Sequence, residues 1–368
     1  MTRKEFIKMC GILGVSLPLE AALAACGKAD ARQPNFSGKV IVIGAGAGGL
    51  SAAYLLQQQG IDVEILEASP VFGGRMKINR DFADFPIPLG AEWLETNASV
   101  FQEIVNDPTV QVNIQTIPDA PDRKFVNYSW FQFFEDYIVP PLSARIRYST
   151  VVQSIDYAAE RTVITTAGGV YVADKVVLAV PLKILQEGDI LFTPALPASK
   201  RETVAEMTVW DGFKAFFEFS EKFYDAEWAF TITPESAGQK IFYDAAFGQN
   251  TDRNILGLFA VGTPARDYLS LSDAQFKATI LGELDARYAN RATPNYVKHI
   301  AQNWNNEPFI RGGYLSDYAD WRKVRELGQP VAEKIYFAGG AFTDGEDWVS
   351  VHTAAQSAKS AVEQLLVG

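Results

Sequence analysis

KVIVIGAGAGGLSAAYLLQQQGIDVEILE, residues 39 to 67, reads as strand, glycine turn, helix, strand and acid. Val40 to Ile43 form a short apolar, β-branched run, the pattern of a buried parallel strand. Gly44-Ala45-Gly46-Ala47-Gly48-Gly49 then satisfies G-x-G-x-x-G. A helical stretch carrying Leu50, Ala53, Tyr54 and Leu56 runs to Gly60, placed where a helix C-terminal glycine belongs. The second strand, Asp62 to Leu66, ends on Glu67. Each part has a physical role. Gly44 permits the tight turn, Gly46 lets backbone approach a pyrophosphate, and Gly49 allows close helix–strand packing. Phosphates then sit on the helix N-terminus, where unpaired N–H groups and the dipole favour anions. Glu67 can accept hydrogen bonds from ribose hydroxyls. The complete unit predicts a doubly wound α/β dinucleotide-binding domain.

After Glu67 come Ala68-Ser69-Pro70-Val71-Phe72-Gly73-Gly74-Arg75 and, later, Leu89-Gly90-Ala91-Glu92-Trp93. Alone, Gly-Gly-Arg fits a plain turn ending in a solvated arginine. Following the dinucleotide unit, the order E-A-x-x-x-x-G-G-R and then G-A-x-W resembles the FAD-dependent amine oxidase family, which includes monoamine, polyamine and L-amino acid oxidases. The resemblance implies an FAD-binding domain, Rossmann-like α/β, interleaved with a smaller mixed-sheet α+β substrate domain. It also implies cofactor contacts from Gly44, Ala45, Gly46, Gly49, Glu67, Ala68, Gly74 and Arg75. Gly90, Ala91, Glu92 and Trp93 join them, with Arg75 as a fixed cation near the diphosphate or flavin edge.

The expected organisation divides the FAD-binding domain into 39–95, 146–196 and 305–368. Between these lie a shortened substrate segment, 96–145, and the substrate domain, 197–304. In the first of these, Trp130, Phe131, Phe133, Phe134 and Tyr137 could line a pocket, pack as core or form a docking patch. Arg145 to Ser154 reads as one strand, followed by a hairpin and the apolar strand Lys175 to Val180. By resemblance, the backbone of Val152 faces adenine; a buried strand valine is equally compatible.

Val209 to Phe219 alternates with period two, placing Lys214 and Phe216 on one face of a strand. A lysine among Phe213, Phe216 and Phe217 has its pKa depressed by burial and becomes a usable proton carrier. A snorkelling stem is the other reading. The resemblance implies that Lys214 is catalytic, holding a water against flavin N5. Phe223 to Thr233, Ile241 to Ala246 and Ile255 to Val261 read as strands of the same sheet, and Asp273 to Tyr288 as a helix capped by Ser272.

The segment from Trp304 to Tyr314 resembles the family's W-x-x-x-P-x-x-x-G-x-Y return toward the flavin. Lys334 to Gly340 reads as a strand ending in glycines, and Ser350 to Leu366 as a helix whose N-terminus can stabilise negative charge on a reduced flavin. Gly339, Gly340, Ser350 and Val351 are further implied cofactor contacts. Gly340 replaces a glutamate usual in the family, which removes one polar contact. Gly313 stands where monoamine oxidases carry the flavin-linking cysteine, so FAD is expected to be non-covalent. Trp304, Tyr314 and Trp348 are candidate substrate-pocket residues; core packing serves Trp348 and Tyr314 as an alternative.

A net charge of −11 argues against nucleic acid as a partner. The acidic balance would steer cationic substrates, or simply keep the chain soluble. With only Cys10, Cys26, His299 and His352, no metal site is expected. The N-terminus reads as an export signal, basic to Lys8 and apolar to Ala25. Thr2-Arg3-Lys4-Glu5-Phe6-Ile7-Lys8 resembles a twin-arginine motif, and Leu23-Ala24-Ala25-Cys26 resembles a bacterial lipobox. Residues 1–26 would then be the signal and 27–38 a tether. The expectation is an exported periplasmic or cell-envelope lipoprotein, touching membrane only through its lipid. The implied activity is oxidation of an amine or amino acid, with oxygen or another acceptor completing the cycle. A desaturase or porphyrinogen-type oxidase of an apolar substrate, or a flavin-binding subunit serving a protein partner, remain alternatives.

Overall fold

β1 (Lys39–Ile43), α1 (Ala47–Gln58) and β2 (Asp62–Leu66) form the predicted opening unit. The structure is a computed structural model that describes residues 36–367 except 118–121, 226, 230–236, 317–319 and 346–348, and no side chains for 227–229. The export signal, both cysteines and Trp348 therefore lie outside the described residues.

β1 lies at the centre of a five-stranded parallel sheet, paired with β2 on one side and Lys175–Leu178 on the other. Ile146–Arg147 extends the sheet beyond β2, and Ile335–Phe337 extends it beyond Lys175–Leu178. Stretches far apart in sequence thus build one sheet. Alternate β1 side chains serve two cores, as parallel strands buried on both faces require. Val40 and Val42 pack with α1 and the C-terminal helix, whereas Ile41 and Ile43 pack with Leu178, Ile155 and Phe337.

The stretch 145–154 is not one strand. Ile146–Arg147 belongs to the parallel sheet, and Val152–Asp156 starts a separate four-stranded sheet with Thr162–Thr166, Gly169–Ala173 and Leu191–Thr193. Ser149, at φ 53°, turns the chain between them, a left-handed conformation that no continuous strand accommodates.

β3 (Gly212–Phe219) lies inside a five-stranded sheet between Asn254–Gly262 and Tyr296–Asn303, antiparallel to both. Gly238–Asp244 and Glu227–Ala229 complete that sheet, so Phe223–Tyr224 precede the strand expected over 223–233, whose residues 230–233 lie outside the described residues. α2 (Asp273–Arg287) opens on a Ser272–Gln275 capping box and covers one face, where Phe276, Ile280 and Leu284 meet Phe213 and Phe217. The opposite face carries Lys214 and Phe216 toward Phe85, Ile87 and Leu89. Phe213 and Phe217 thus point away from Lys214, as the strand period demands.

The aromatic cluster of the shortened segment is core. Trp130, Phe133 and Phe134 are fully buried, with Phe101 packed on Trp130 and Phe133 at centroid distances of 5.1 and 5.0 Å. α3 (Val351–Val367) packs its small residues, Ala355, Ala358 and Ala361, in the same core as Ala52, Ala53 and Leu56 of α1. No described helix is long and apolar enough to cross a membrane.

Candidate functional site

The glycine loop connects β1 to α1. Gly44 has φ +101°, and a Cβ there would lie 2.7 Å from the Ala179 carbonyl oxygen, so only glycine suits this turn. At Gly49 a Cβ would meet the Gly44 oxygen at 1.9 Å, which is the close helix–strand approach expected. Gly46 differs, because a Cβ there would meet nothing within 4 Å. It faces open space at the start of α1, whose first turn has no acidic residue and no side-chain cap. That is an unopposed helix N-terminus beside a cradle for an anion.

Glu67 braces this loop. Its carboxylate accepts from Ala45 N at 2.5 Å and from Ser69 N at 2.8 Å, and burial raises its pKa despite those two donors. Ala68 continues the chain into the Gly73-Gly74-Arg75 turn, where Gly73 N donates to Ala45 O at 2.8 Å. Gly74 lies against Gly46, its would-be Cβ 3.6 Å from Gly46 Cα. Arg75 donates to Gly313 O and pairs with no described carboxylate, and desolvation lowers its pKa. Gly74 thus touches the open Gly46, while the Arg75 guanidinium lies at Gly313 on the Tyr314 cleft, a partly buried cation with no described carboxylate partner that suits an anionic cofactor group.

Gly90, Ala91, Glu92 and Trp93 follow the backbone of Arg75. Ala91 N donates to Arg75 O at 2.9 Å, and a Cβ on Gly90 would meet that oxygen at 1.8 Å. The Glu92 side chain turns toward Lys214 of β3, whose Nζ donates to Glu92 Oε2 at 2.6 Å and to Gly90 O at 2.9 Å. Tyr243 OH donates to the same carboxylate oxygen at 2.5 Å, and Lys124 Nζ lies 3.7 Å from the other. The Lys214 ammonium also sits 4.9 Å from the Trp93 ring centroid and 5.4 Å from that of Phe216. Burial alone would raise the Glu92 carboxyl, but Lys214 and Lys124 outweigh it and hold its pKa below the usual carboxylate value. Burial lowers Lys214 despite the neighbouring Glu92, and it drives the Tyr243 hydroxyl far up. An ammonium has three protons. Lys214 commits two and keeps one to offer.

At the C-terminal side, Trp304 is buried and donates Nε1 to Leu89 O at 3.0 Å, beside Gly90. Tyr314 lines a cleft with Arg75, Pro181, Val209, Gly313 and Val349. Trp210 N donates to Tyr314 O at 2.8 Å, so this return segment is zipped onto the chain leading into β3. Gly339 has φ +131°, and a Cβ on Gly340 would lie 2.7 Å from Val349 Cγ1, so the family's glutamate would not fit this arrangement unchanged. Ser350 caps α3 by accepting from Thr353 N at 3.3 Å, and Val351 is buried behind it. Val152 is buried in the second sheet, paired with Thr166. Trp348 belongs to the undescribed residues.

The structure therefore gathers the glycine loop, Glu67, Gly74 and Arg75 in one place, and joins Glu92 and Trp93 to Lys214 in another. Lys124 and Tyr243 were not legible as site residues. Lys124 sits in the polar run Asp122-Arg123-Lys124 and becomes buried only through strand pairing with Trp93. Tyr243 ends the apolar run Ile241-Phe242-Tyr243 of its strand, with no local mark of its partner.

Residues 131–366 match the model of the flavin containing amine oxidoreductase family. The chain belongs to that family. Residues 42–107 match an NAD(P)-binding Rossmann-like domain. Lysine-specific histone demethylase 1B of Mus musculus is 26% identical over 203 residues, 53% of this chain and 25% of that protein. Polyamine oxidase 3 of Oryza sativa subsp. japonica is 27% identical over 218 residues, 58% of this chain and 44% of that protein. The chain thus spans less than half the length of these two relatives. A wild-type putrescine oxidase bound to putrescine shares the fold, with TM-score 0.68 and 16% identity across 90% of this chain and 99% of that one. The cofactor of this family, FAD, fits the residues present. The open Gly46 cradle and the α1 N-terminus would take its diphosphate, Arg75 would supply a cation to the cofactor from the Gly313 side, and Glu67 lies at the ribose end of the motif.

Proposed function

We propose that this chain is an FAD-dependent oxidase acting on the carbon–nitrogen bond of an amine or amino acid. Lys214 is the observation that carries the reading: a buried ammonium, held by Glu92 and Gly90 O next to the Arg75 turn, with one proton left to offer. Bound FAD would accept a hydride from the carbon bearing nitrogen, leaving an imine that water hydrolyses, and oxygen would then regenerate it with release of hydrogen peroxide. Lys214 would hold a water or the substrate in line through its third N–H. Glu92 and Tyr243 fix that ammonium in one position, so no reorientation is needed during turnover. Gly313 has no side chain to carry a tether, which supports non-covalent FAD. The N-terminus of α3, capped by Ser350, would favour negative charge nearby.

Visible absorbance of the FAD-loaded chain under anaerobic conditions tests this, before and after a panel of amines and amino acids. Bleaching by one of them, slowed markedly in Lys214→Met, is the expected result. A flavin that no nitrogen compound bleaches would overturn the oxidase reading and leave the desaturase or partner-subunit functions. We also propose export as a lipoprotein anchored at Cys26, resting on the Leu23–Cys26 sequence. Labelled palmitate incorporated into the full chain and lost in Cys26→Ser would support it; unlabelled wild type would end it.

A further inference from the structure

We infer that the shortened segment 96–145 serves cofactor binding, and that Phe131 is the positioning residue that holds the Gly73-Gly74 turn against the glycine loop. The inference rests on the family's FAD and on its diphosphate lying at Gly46. Trp130, Phe133 and Phe134 of this segment are plain core, whereas Phe131, from the same helical turn, reaches the Gly-Gly-Arg stretch. Its ring stacks on Phe72 at a centroid distance of 4.6 Å and an interplanar angle of 12°. A Cβ on Gly73 would lie 2.9 Å from two carbons of the Phe131 ring, so the ring rests directly on the turn. Arg80 places its guanidinium 5.6 Å from the centroid of that ring and pairs with Glu135, four residues further along the chain.

The turn needs such support. Gly73 and Gly74 stand at φ +112° and +53°, two successive left-handed glycines, and glycine loses more freedom on ordering than any other residue. One hydrogen bond, Gly73 N to Ala45 O at 2.8 Å, ties the pair to the glycine loop, and Gly74 lies against Gly46 at the open cradle. The Phe72–Phe131 stack adds a second hold. Its bulk removes space that the two glycines would otherwise sample, so the turn is in place before FAD arrives and its ordering does not subtract from binding. The helical turn itself is fixed, because Ser129 caps it by accepting from Gln132 N at 3.2 Å and Trp130 donates Nε1 to Trp93 O at 2.9 Å. Trp130–Phe133 thus braces both the Gly73-Gly74 turn and the strand that carries Trp93.

Fluorescence titration of FAD into the flavin-free chain, with urea unfolding of the same preparations, tests this. Phe131→Leu keeps apolar bulk but loses the stack, and should weaken FAD binding about threefold to tenfold. Phe131→Tyr keeps the ring and should keep the affinity. Phe101→Leu loosens the same core, where Phe101 packs on Trp130 and Phe133. It should lower the stability of the flavin-free form and leave FAD affinity at the wild-type value. Wild-type affinity in Phe131→Leu would overturn the inference. So would an equal loss in Phe101→Leu, by showing that any loosening of this core weakens FAD. Should flavin-free Phe131→Leu not fold, Phe72→Leu removes the same stack from its partly buried partner, and the same two outcomes decide. Undiminished FAD affinity in Gly46→Ala would instead remove the diphosphate placement on which the inference rests.

Discussion

Lys214 and Glu92, 122 residues apart in sequence, form a 2.6 Å ion pair whose side chains are only 2% and 3% exposed. The pair joins an inner strand of the antiparallel sheet to the segment that follows the Gly-Gly-Arg turn. Through it the two halves of the site share one rigid contact.

The pair is asymmetric, because Lys124 stands on the other side of Glu92. Removing Lys214 leaves Glu92 facing Lys124; removing Glu92 leaves the buried Lys214 with no carboxylate and Lys124 with only Asp244 near it. Glu92→Gln should therefore destabilise the protein by about 3 kcal/mol or more, and Lys214→Met by less. Urea unfolding of both variants checks the order. Equal losses, or the reverse order, would mean that Lys124 does not share the Glu92 charge.

Acid should weaken the same cluster. The Glu92 pKa is held below the ordinary value of 4.5, so its contribution is complete above that pH and is lost as pH falls through the folded value. The stability gap between wild type and Glu92→Gln should narrow below about pH 4.5. A gap independent of pH down to pH 3 would show that Glu92 is not ionised in the native state.

Gly46 separates binding from folding. Its backbone is extended, with φ −81° and ψ −174°, and a Cβ would meet no neighbour. Gly46→Ala should leave the flavin-free protein within about 0.5 kcal/mol of wild type. FAD affinity should nevertheless fall, because the methyl group would occupy the open cradle. Fluorescence titration of FAD and thermal unfolding of the flavin-free form give the two numbers, and undiminished affinity would place the diphosphate elsewhere.

Lys200 offers a pH test remote from the site. Its Nζ donates to Glu326 O and Leu327 O, each at 2.8 Å, and burial lowers its pKa from 10.5 to about 8. The unfolded chain binds the proton more tightly, so wild type should gain stability relative to Lys200→Met as pH rises from about 8 toward 10.5. Parallel stability curves for the two proteins over that range would refute the shift.

Residues 39 to 67 contained their own structure. The strand, glycine turn and helix depend on neighbours a few positions away, through backbone conformation at Gly44 and side-chain period in β1 and α1. The same locality made the Ser272 cap of α2 and the facing of Lys214 on β3 legible. Arg145 to Ser154 misled because both halves have strand composition, and only the left-handed turn at Ser149 assigns them to different sheets. The partners of Lys214 were beyond local reach. Phe213 and Phe217 are its sequence neighbours but face α2, while Glu92, Trp93, Tyr243 and Lys124 arrive from separate strands and loops. Burial and charge balance are sums over whatever the fold brings together. Sequence by itself therefore determined the dinucleotide cradle, and tertiary structure alone decided the electrostatics of the Lys214–Glu92–Lys124 cluster.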